Sequence, residues 1–446
     1  MNPSVAGRIR FDGHFIAVDV DRDDFGSPSI IARFDARQLH PFTTEASDPT
    51  LFELLDLCVA YYALDRFVKR PMNGFGRTFV LRYPVRSPEL WRRNVPLVRQ
   101  WLLALTDDDV EVVPVPWRDA GDHHDRMQSL SLTEPVEAVG LLSDGLDSLC
   151  GLDAALQESR RMAWVSVISG HRRKRISAMM ELGSESEIAA IDHYMIRLRL
   201  KRGNKAKEKT QRSRTVLAVA MGMTLAHALG SDTVECYENG FGLLNLPVPD
   251  LQYGGMSSQV LQPGHLPLWD QISRAFFGRT IEVRYPNRFR TKGEMLKSLS
   301  PAALALVRET FSCDAGYRQA KRRVFHCGTC GSCRIRQLSI ASARIESFDA
   351  HYAYVSRKGD ALEYAALLRY HAGLLDAALR SEDPWLALNR LQSSIAIVPH
   401  SDDLRVAARA SQDIQHHREF LQLQTLELLR RHVAELNTWR PLDHAA

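Results

Sequence analysis

The sequence lacks the features that mark membrane, secreted and low-complexity proteins. It has no run of about 18 apolar residues, so we expect no transmembrane helix. Residues 1–21 carry charges throughout, which excludes the apolar core of a signal peptide. The net charge is only +4 over 446 residues and does not by itself indicate nucleic-acid binding. Only seven cysteines are present. We therefore expect a cytoplasmic protein whose thiols are free or bind metal.

The chain is long enough for about three domains. Residues 1–130 mix predicted strands and helices, which indicates an N-terminal α+β domain, and the polar stretch 118–126 is typical of a linker. Residues 131–348 alternate apolar strands with helices. This alternation predicts an α/β, Rossmann-like domain with a parallel sheet. Residues 349–446 show helical periodicity only and predict a C-terminal helical domain.

A short loop, Ser143-Asp144-Gly145-Leu146-Asp147-Ser148, separates a predicted strand from a predicted helix. Backbone N–H groups at such a helix start bind phosphate. The loop matches the S-G-G-x-D-S pyrophosphate pattern, except that Asp144 replaces its second residue, a glycine. A serine-rich turn that only caps a helix has a similar composition, so the loop alone leaves both interpretations open.

Four of the seven cysteines, Cys313, Cys327, Cys330 and Cys333, follow the spacing C-x13-C-x2-C-x2-C. Four thiolates at this spacing favour a structural, tetrahedral Zn²⁺ site. An iron–sulfur cluster or unrelated free thiols are the alternatives. His326 and His265 are possible additional ligands, although a lone histidine is more often packed or exposed. The other cysteines, Cys58, Cys150 and Cys236, lie in apolar surroundings that are typical of core thiols.

Taken together, the loop and the cysteine cluster resemble the 7-cyano-7-deazaguanine synthase (QueC-like) family of the N-type ATP pyrophosphatases, over residues 137–345. The matching segments are 143–148, 212–217, 238–240, 291–294, 312–313 and 327–336. The resemblance implies a parallel-sheet ATP pyrophosphatase domain of the HUP-like type with a zinc knuckle.

The same resemblance implies an activity. The family converts 7-carboxy-7-deazaguanine to an amide and then a nitrile: ATP activates the carboxylate as an acyl adenylate, pyrophosphate leaves and ammonia attacks. The implied cofactors are structural Zn²⁺, ATP and Mg²⁺, and the implied small-molecule substrate is a deazapurine. The ATP-binding residues would be Ser143, Asp144, Gly145, Leu146, Asp147 and Ser148, and the catalytic residues Asp147, Ser148, Lys292 and Arg212. Asp147 would orient the loop or Mg²⁺, and Lys292 and Arg212 would neutralise phosphate charge. A solvated helix start is the alternative for Lys292.

Two departures from the family pattern bear on this hypothesis. The Asp144 carboxylate would repel pyrophosphate unless Mg²⁺ intervenes, although aspartate tolerates tight turns. Residues 170–175 read Gly-His-Arg-Arg-Lys-Arg where the family has an aromatic-acidic-Gly-Gln stretch. Recognition of the substrate or of the amine is therefore expected to differ.

The regions outside residues 137–345 suggest a particular branch of the family. Segments 62–70 and 82–85, Trp91 and the helical C-terminus are similar to longer synthase-like proteins of antiphage operons, including the Qat type. There the acceptor would be an amine of an operon-encoded partner protein. Adenylation of a tRNA base is one alternative, and a degenerate nucleotide-binding scaffold is another. The basic stretches 172–175, 197–209 and 318–323 are either solvated loops or docking surfaces for an acidic partner or nucleic acid.

Overall fold

The structure is a computed structural model. It describes residues 5–12, 15–20, 29–35, 52–71, 76–117, 136–168, 172–185, 192–201, 208, 212–244, 259–313, 326–328, 330–352, 358–391 and 414–438.

Ten strands and the helices that pack around them make up the described residues. The strands are β1 (Val5–Asp12), β2 (Phe15–Val20), β3 (Ser29–Asp35), β4 (Thr78–Val85), β5 (Asp109–Pro116), β6 (Ala138–Leu141), β7 (Met162–Ile168), β8 (Asp192–Lys201), β9 (Thr233–Glu235) and β10 (Glu282–Arg284). The helices are α1 (Glu53–Phe67), α2 (Pro88–Thr106), α3 (Leu146–Gln157), α4 (Arg172–Met180), α5 (Ser213–Ala228), α6 (Gly240–Leu244), α7 (Leu266–Phe277), α8 (Lys292–Lys297), α9 (Pro301–Leu306), α10 (Gly331–Ala343), α11 (Lys358–Leu379), α12 (Pro384–Leu391) and α13 (Ile414–Thr438).

All ten strands belong to one mixed sheet in the order β10-β9-β6-β7-β8-β3-β2-β1-β4-β5. Strands β10, β9, β6, β7 and β8 are mutually parallel. Strand β3 pairs antiparallel with β8, and β2 and β1 continue antiparallel. Strands β4 and β5 then add in parallel. The predicted α/β class, parallel sheet and helical C-terminus are confirmed.

The N-terminal strands differ in two ways from the sequence prediction. Residues 8–20 alternate as predicted but form a hairpin of two strands, β1 and β2. Strand β3 was not predicted, although it joins the N-terminal strands to the parallel sheet through β8. The linker 118–126 and the division near residue 130 lie outside the described residues and stay predictions.

Helix α1 packs between the sheet and neighbouring helices, and 13 of its 15 residues are buried. Its polar residues have partners despite this burial. The Glu53 backbone oxygen accepts from Tyr83 Oη at 2.6 Å, and the Glu53 carboxylate accepts from Trp91 Nε1 at 2.6 Å. Since a buried polar group without a partner is destabilising, these bonds fix how α1 sits against β4 and α2.

A buried ionic cluster, Asp65, Arg70, Arg77 and Asp108, joins the N-terminal elements. Arg77 Nη2 lies 2.6 Å from Asp65 Oδ1, and Arg70 Nη1 lies 2.8 Å from Asp108 Oδ1. Asp65 also accepts from the backbone and hydroxyl of Ser213, at the start of α5. Burial raises the pKa of Asp65, but Arg77 and Arg70 outweigh it, so the net shift is downward. The cluster thus fastens α1 to α5 of the parallel-sheet region.

The helices of the described ranges give no candidate for a membrane span, since none combines sufficient length with sufficient apolar character. The C-terminal helices pack against the rest of the chain. Leu428, Leu429 and Val433 of α13 contact Leu244 of α6 within one apolar cluster. Leu436 of α13 packs with Leu338 of α10 in another. The C-terminal helical region is therefore attached to the rest of the chain at two places. One is α6, which follows β9, and the other is α10, which contains Cys333.

We predict that Asp65→Ala lowers the free energy of unfolding by about 3–5 kcal/mol, because it leaves two buried guanidinium groups with only the Asp108 carboxylate to neutralise them. Urea denaturation measures the change. The control is Asp109→Ala, which removes an exposed ion pair with Arg99 and should change little. Equal effects of the two substitutions would contradict the structural importance of the cluster.

Candidate functional site

The loop Ser143–Ser148 follows the carboxyl end of β6 and leads into α3. Its two serines close the turn. The backbone N–H of Ser143 donates to Ser148 Oγ at 2.9 Å, and the two hydroxyl oxygens lie 2.8 Å apart. Gly145 N–H donates to Ser143 Oγ at 3.2 Å. In open α/β sheets, ligands bind at the carboxyl ends of the strands, which is where this loop lies.

The start of α3 leaves its first backbone N–H groups available to a ligand. Gly145 is the N-cap in an extended conformation and supplies no side-chain cap. The bond from Leu149 N–H to the Gly145 carbonyl is the first of the helical pattern. The N–H groups of Leu146, Asp147 and Ser148 therefore have no acceptor within the helix, which is the arrangement that binds phosphate.

Asp144 turns inward and is neutralised. Its side chain is buried, with Oδ2 2.8 Å from Arg175 Nη1 and Oδ1 3.7 Å from Arg172 Nε. Its carbonyl accepts from Phe311 N–H at 2.6 Å, and the Arg175 guanidinium lies over the Phe311 ring. Both arginines come from the basic segment 170–175. The two departures from the family pattern are thus in direct contact with each other.

A second cluster, Asp147, Lys292 and Glu238, lies beside the loop. Lys292 Nζ lies 3.0 Å from Asp147 Oδ2, and Glu238 lies within electrostatic range of both residues. Asp147 is in the first turn of α3, Lys292 begins α8, and Glu238 follows β9, which pairs with β6. The structure therefore brings the predicted residues Asp147 and Lys292 together and adds Glu238 to them.

Burial and charge perturb the protonation of this second cluster. Burial and the Asp147 charge raise the pKa of Glu238 to about 8, although Lys292 acts in the opposite direction. Burial lowers the pKa of Lys292, but Asp147 and Glu238 raise it above its ordinary value overall. Near neutral pH, the cluster thus holds an ammonium, a carboxylate and a carboxylic acid, a combination suited to proton transfer.

The Glu238 segment is shaped by glycine. A Cβ at Gly242 would lie 2.3 Å from Glu238 Oε1, so any larger residue there would displace the carboxyl group. Asn239 donates through Nδ2 to Glu238 Oε1 at 2.7 Å and accepts from Gly242 N–H through Oδ1. These contacts hold the Glu238 side chain in place next to Asp147.

Helix α13 supports the segment that carries Lys292. Thr291 caps α8 through a reciprocal pair of bonds with Glu294, and its hydroxyl also donates to Glu435 of α13. Arg431 lies 2.8 Å from Glu294 and donates to the carbonyl of Phe289 at 2.7 Å. The C-terminal helical region therefore forms part of the scaffold of the site.

Arg212 has surroundings other than those expected of a phosphate ligand. Its guanidinium is fully buried and bonds Asp107 Oδ2 at 2.8 Å. The charges acting most strongly on it are those of Arg70, Asp107 and Asp108, and none of these belongs to the loop. The structure places Arg212 in the contact between α2 and α5. Arg214, two residues later in the sequence, lies within electrostatic range of Asp144 and Arg172.

The four cysteines Cys313, Cys327, Cys330 and Cys333 converge as predicted. All their sulfurs lie within 4.8 Å of one another. The Sγ atoms of Cys327 and Cys333 are 3.9 Å apart, and those of Cys330 and Cys313 4.0 Å apart. A tetrahedral ion with bonds of about 2.3 Å needs sulfurs about 3.8 Å apart. The cluster could therefore hold a metal ion such as zinc.

The surroundings of the cysteines connect them to the loop. His326 Nε2 accepts from the backbone N–H of Ser312 at 3.1 Å, and burial lowers its pKa to about 4. This bond gives the histidine a structural partner outside the thiol set. Arg336 of α10 bonds the hydroxyl and the carbonyl of Thr310 and the Asp349 carboxylate. Phe311 lies between Thr310 and Ser312, and its backbone N–H donates to the Asp144 carbonyl.

Sequence reasoning missed two residues of the site. Glu238 was recognised only as part of a matching segment, and Arg175 only as part of a basic stretch. Glu238 directly follows an apolar strand of the parallel sheet, a position whose side chains meet at the ligand edge. That signal was present in the sequence. Nothing in the sequence indicated that Arg175 pairs with Asp144.

We predict that the purified protein carries one zinc ion per chain and that Cys327→Ala abolishes its binding. Elemental analysis for zinc and iron measures the content. The control is Cys236→Ala, which alters a buried thiol outside the cluster and should retain the metal. Iron in place of zinc would support the iron–sulfur alternative, and the absence of both metals would contradict a metal site.

We predict that Glu238→Gln stabilises the protein more at pH 8 than at pH 5. Folded Glu238 keeps its proton to about pH 8, whereas an ordinary glutamate loses it near 4.5. The unfolded state thus binds fewer protons across this window, and the free energy of unfolding falls as the pH rises. Glutamine removes that loss, so we expect its stabilising effect at pH 8 to exceed that at pH 5 by up to about 3 kcal/mol.

Urea denaturation at pH 5 and pH 8 tests this expectation. Glu427→Gln is the control, because Glu427 is exposed and pairs with Arg430 on the same helix. Its effect should not change with pH. If the difference between Glu238→Gln and the unmodified protein were the same at both pH values, Glu238 would not hold its proton as the geometry indicates.

Comparison of the sequence with models of protein families and with curated proteins finds no match to either. The site is therefore defined by its own geometry. It combines an uncapped helix start, a lysine paired with a carboxylate, a neutralised aspartate and a nearby four-thiol cluster.

Proposed function

We propose that this chain is an ATP-dependent enzyme that adenylates a carboxylate and releases pyrophosphate, with a HUP-like ATP pyrophosphatase domain. The observation that carries the proposal is the Lys292–Asp147 contact of 3.0 Å directly beside the uncapped start of α3. Phosphates of ATP would accept from the free N–H groups of α3 and from the hydroxyl of Ser143. Lys292 would neutralise charge that develops on the leaving pyrophosphate.

The proposed reaction runs in two steps. A carboxylate oxygen of the substrate attacks the α-phosphorus of ATP, the bond to the β-phosphate oxygen breaks, and pyrophosphate leaves. An amine then attacks the acyl carbon of the adenylate, forms a C–N bond and displaces AMP. The amine must lose a proton in this step. Glu238 is the proposed acceptor in its ionised form, which is about a tenth of the population at pH 7 for a carboxyl with a pKa of about 8.

The donor set beside the loop fits a magnesium ion. Asp147 Oδ1 is buried and has no hydrogen-bond partner within the described part of the chain. A carboxylate oxygen with a free lone pair is the ligand type that Mg²⁺ prefers. Magnesium bound with ATP would shield the triphosphate charge. The four cysteines would hold structural Zn²⁺, with no position open to substrate.

The substrate we propose is a 7-carboxy-7-deazaguanine-type acid. Its support is the resemblance of the loop and cysteine motifs to the 7-cyano-7-deazaguanine synthase family. The acceptor would be ammonia, or an amine of an operon-encoded partner protein in antiphage defence. The second possibility is supported by the similarity of the N-terminal and C-terminal regions to the longer, Qat-type members. The basic residues 172–175 stand where the family has an aromatic-acidic stretch, and they lie beside the loop. They would alter which substrate or amine can approach the loop.

The buried state of Asp144 supports an active loop. An unpaired carboxylate next to the phosphate site would weaken nucleotide binding by repulsion. Here Arg175 and Arg172 neutralise it, so the aspartate need not oppose a bound triphosphate. A degenerate scaffold would bind ATP without releasing pyrophosphate.

We predict ATP–pyrophosphate exchange that depends on 7-carboxy-7-deazaguanine, and a fall on the order of 10²–10³-fold for Lys292→Ala. The control is Lys297→Ala, an exposed lysine at the other end of α8, which should keep full exchange. The zinc-loaded protein is used, and ATP binding is measured in parallel. ATP binding without exchange would support the scaffold alternative, and exchange stimulated by tRNA alone would support the tRNA-modifying alternative.

A further inference from the structure

Arginine side chains cover one face of the N-terminal half of the sheet. Residues paired across strands share a face, and alternate residues of a strand do so as well. The pairings Arg199–Arg33, Phe15–Arg33, Ala17–Arg10 and Arg8–Arg82 connect β8, β3, β2, β1 and β4. They place five arginines on this one face, which we call the arginine face: Arg8, Arg10, Arg82, Arg197 and Arg199.

The helices of this half pack on the other side of the sheet. Ile9, Ile16 and Leu81 on that side belong to the main apolar core, together with residues of α1 and α2. Tyr83 bonds Glu53 of α1 and packs edge-on against Trp91 of α2. The arginine face is therefore directed away from both helices, and Arg8, Arg82 and Arg199 are exposed.

Within the described residues, only some of these arginines form an ion pair. Arg10 pairs with Asp19 of β2. Arg8, Arg82 and Arg199 make no ion pair with any described residue. The acidic positions on the face are Asp12, Asp19, Asp35, Asp109 and Glu111, of which Asp19 lies opposite Arg8 and Asp35 opposite Arg197 in register. Arg8, Arg82 and Arg199 remain exposed and can meet an anionic partner.

The arginine face continues to the candidate site. His193, Arg197 and Arg199 lie an even number of residues apart along β8 and therefore share one face of the sheet. His193 pairs in register with Trp164 of β7. Trp164 packs with Ile176 and Met179 of α4, so α4 lies on this side of the sheet. Helix α4 contributes exposed Arg173 and Lys174 and the arginines beside Asp144. The positive charge thus extends from the loop edge across β8 to β4.

We propose that the arginine face binds the phosphate backbone of duplex nucleic acid. Four strand spacings separate β8 from β4, a width of about 19 Å. A duplex presents about 11 phosphate charges over that length. Arginine, which dominates the face, binds phosphate through two parallel hydrogen bonds. Among the residues of the face whose side chains the structure describes, none is an exposed aromatic that could stack on a base, which favours contact with the backbone of a duplex over a single strand.

The experiment measures binding of a 25-base-pair RNA duplex and a DNA duplex of the same length to the full-length protein across a salt series. We expect the affinity to fall steeply and linearly on logarithmic axes. The triple variant Arg8→Gln, Arg82→Gln, Arg199→Gln should reduce the slope by about 3 and weaken binding on the order of 10²-fold at 100 mM salt.

The matched control is the triple variant Arg92→Gln, Arg380→Gln, Arg430→Gln, which removes equal charge from exposed sites on α2, directly after α11 and on α13. It should leave the slope unchanged. Zinc content and urea denaturation confirm that both variants fold. Absence of duplex binding at 50 mM salt, or equal losses in the two variants, would overturn the proposal. Competition by polyglutamate as effective as that by duplex would assign the face to an acidic protein instead.

Discussion

The ion pair between Lys292 and Asp147 is the interaction on which the candidate site depends. It joins the start of α3 to the start of α8, two segments about 145 residues apart in the chain. The Lys292 side chain is partly buried, and the Asp147 carboxylate stabilises its charged form. Burial and the negative charge of Asp147 together raise the pKa of Glu238, so that it keeps its proton near neutral pH.

The C-terminal helix α13 supports the short helix α8, which carries Lys292. Helix α8 has only six residues, too few to be stable in isolation, so the direction of Lys292 has to be set by its neighbours. The Thr291 cap fixes the start of the helix, and α13 holds that cap through Glu435 and holds Glu294 through Arg431. The same helix packs Leu428 against Gly240, two residues after Glu238. One helix therefore supports both sides of the lysine–carboxylate cluster.

Sequence patterns predicted those parts of the molecule that depend on local chemistry. The spacing of the cysteines was sufficient because thiolates at short separations have few alternatives to a shared ion. Asp147 and Lys292 were identified from motifs that the ends of parallel strands bring together. The role proposed for Arg212 came from a matching segment. In the structure its guanidinium is buried and bonds Asp107. Neither fact can be inferred from the sequence. Strand β3 follows a polar, glycine-containing stretch, and only its pairing with β8 shows its importance.

Asp144 illustrates the limit of reading departures from a motif one at a time. Viewed in the sequence, an aspartate in the phosphate loop and an arginine-rich segment after the second strand are two separate anomalies, and each weakens the family resemblance. In the structure they are one ion pair, at 2.8 Å between Asp144 and Arg175, with the guanidinium lying over Phe311. Either residue alone would leave a buried charge, which is strongly destabilising. The pair neutralises the carboxylate of the loop and anchors α4 to it. The departures are therefore evidence that α4, together with its exposed Arg173 and Lys174, has a fixed position at the loop.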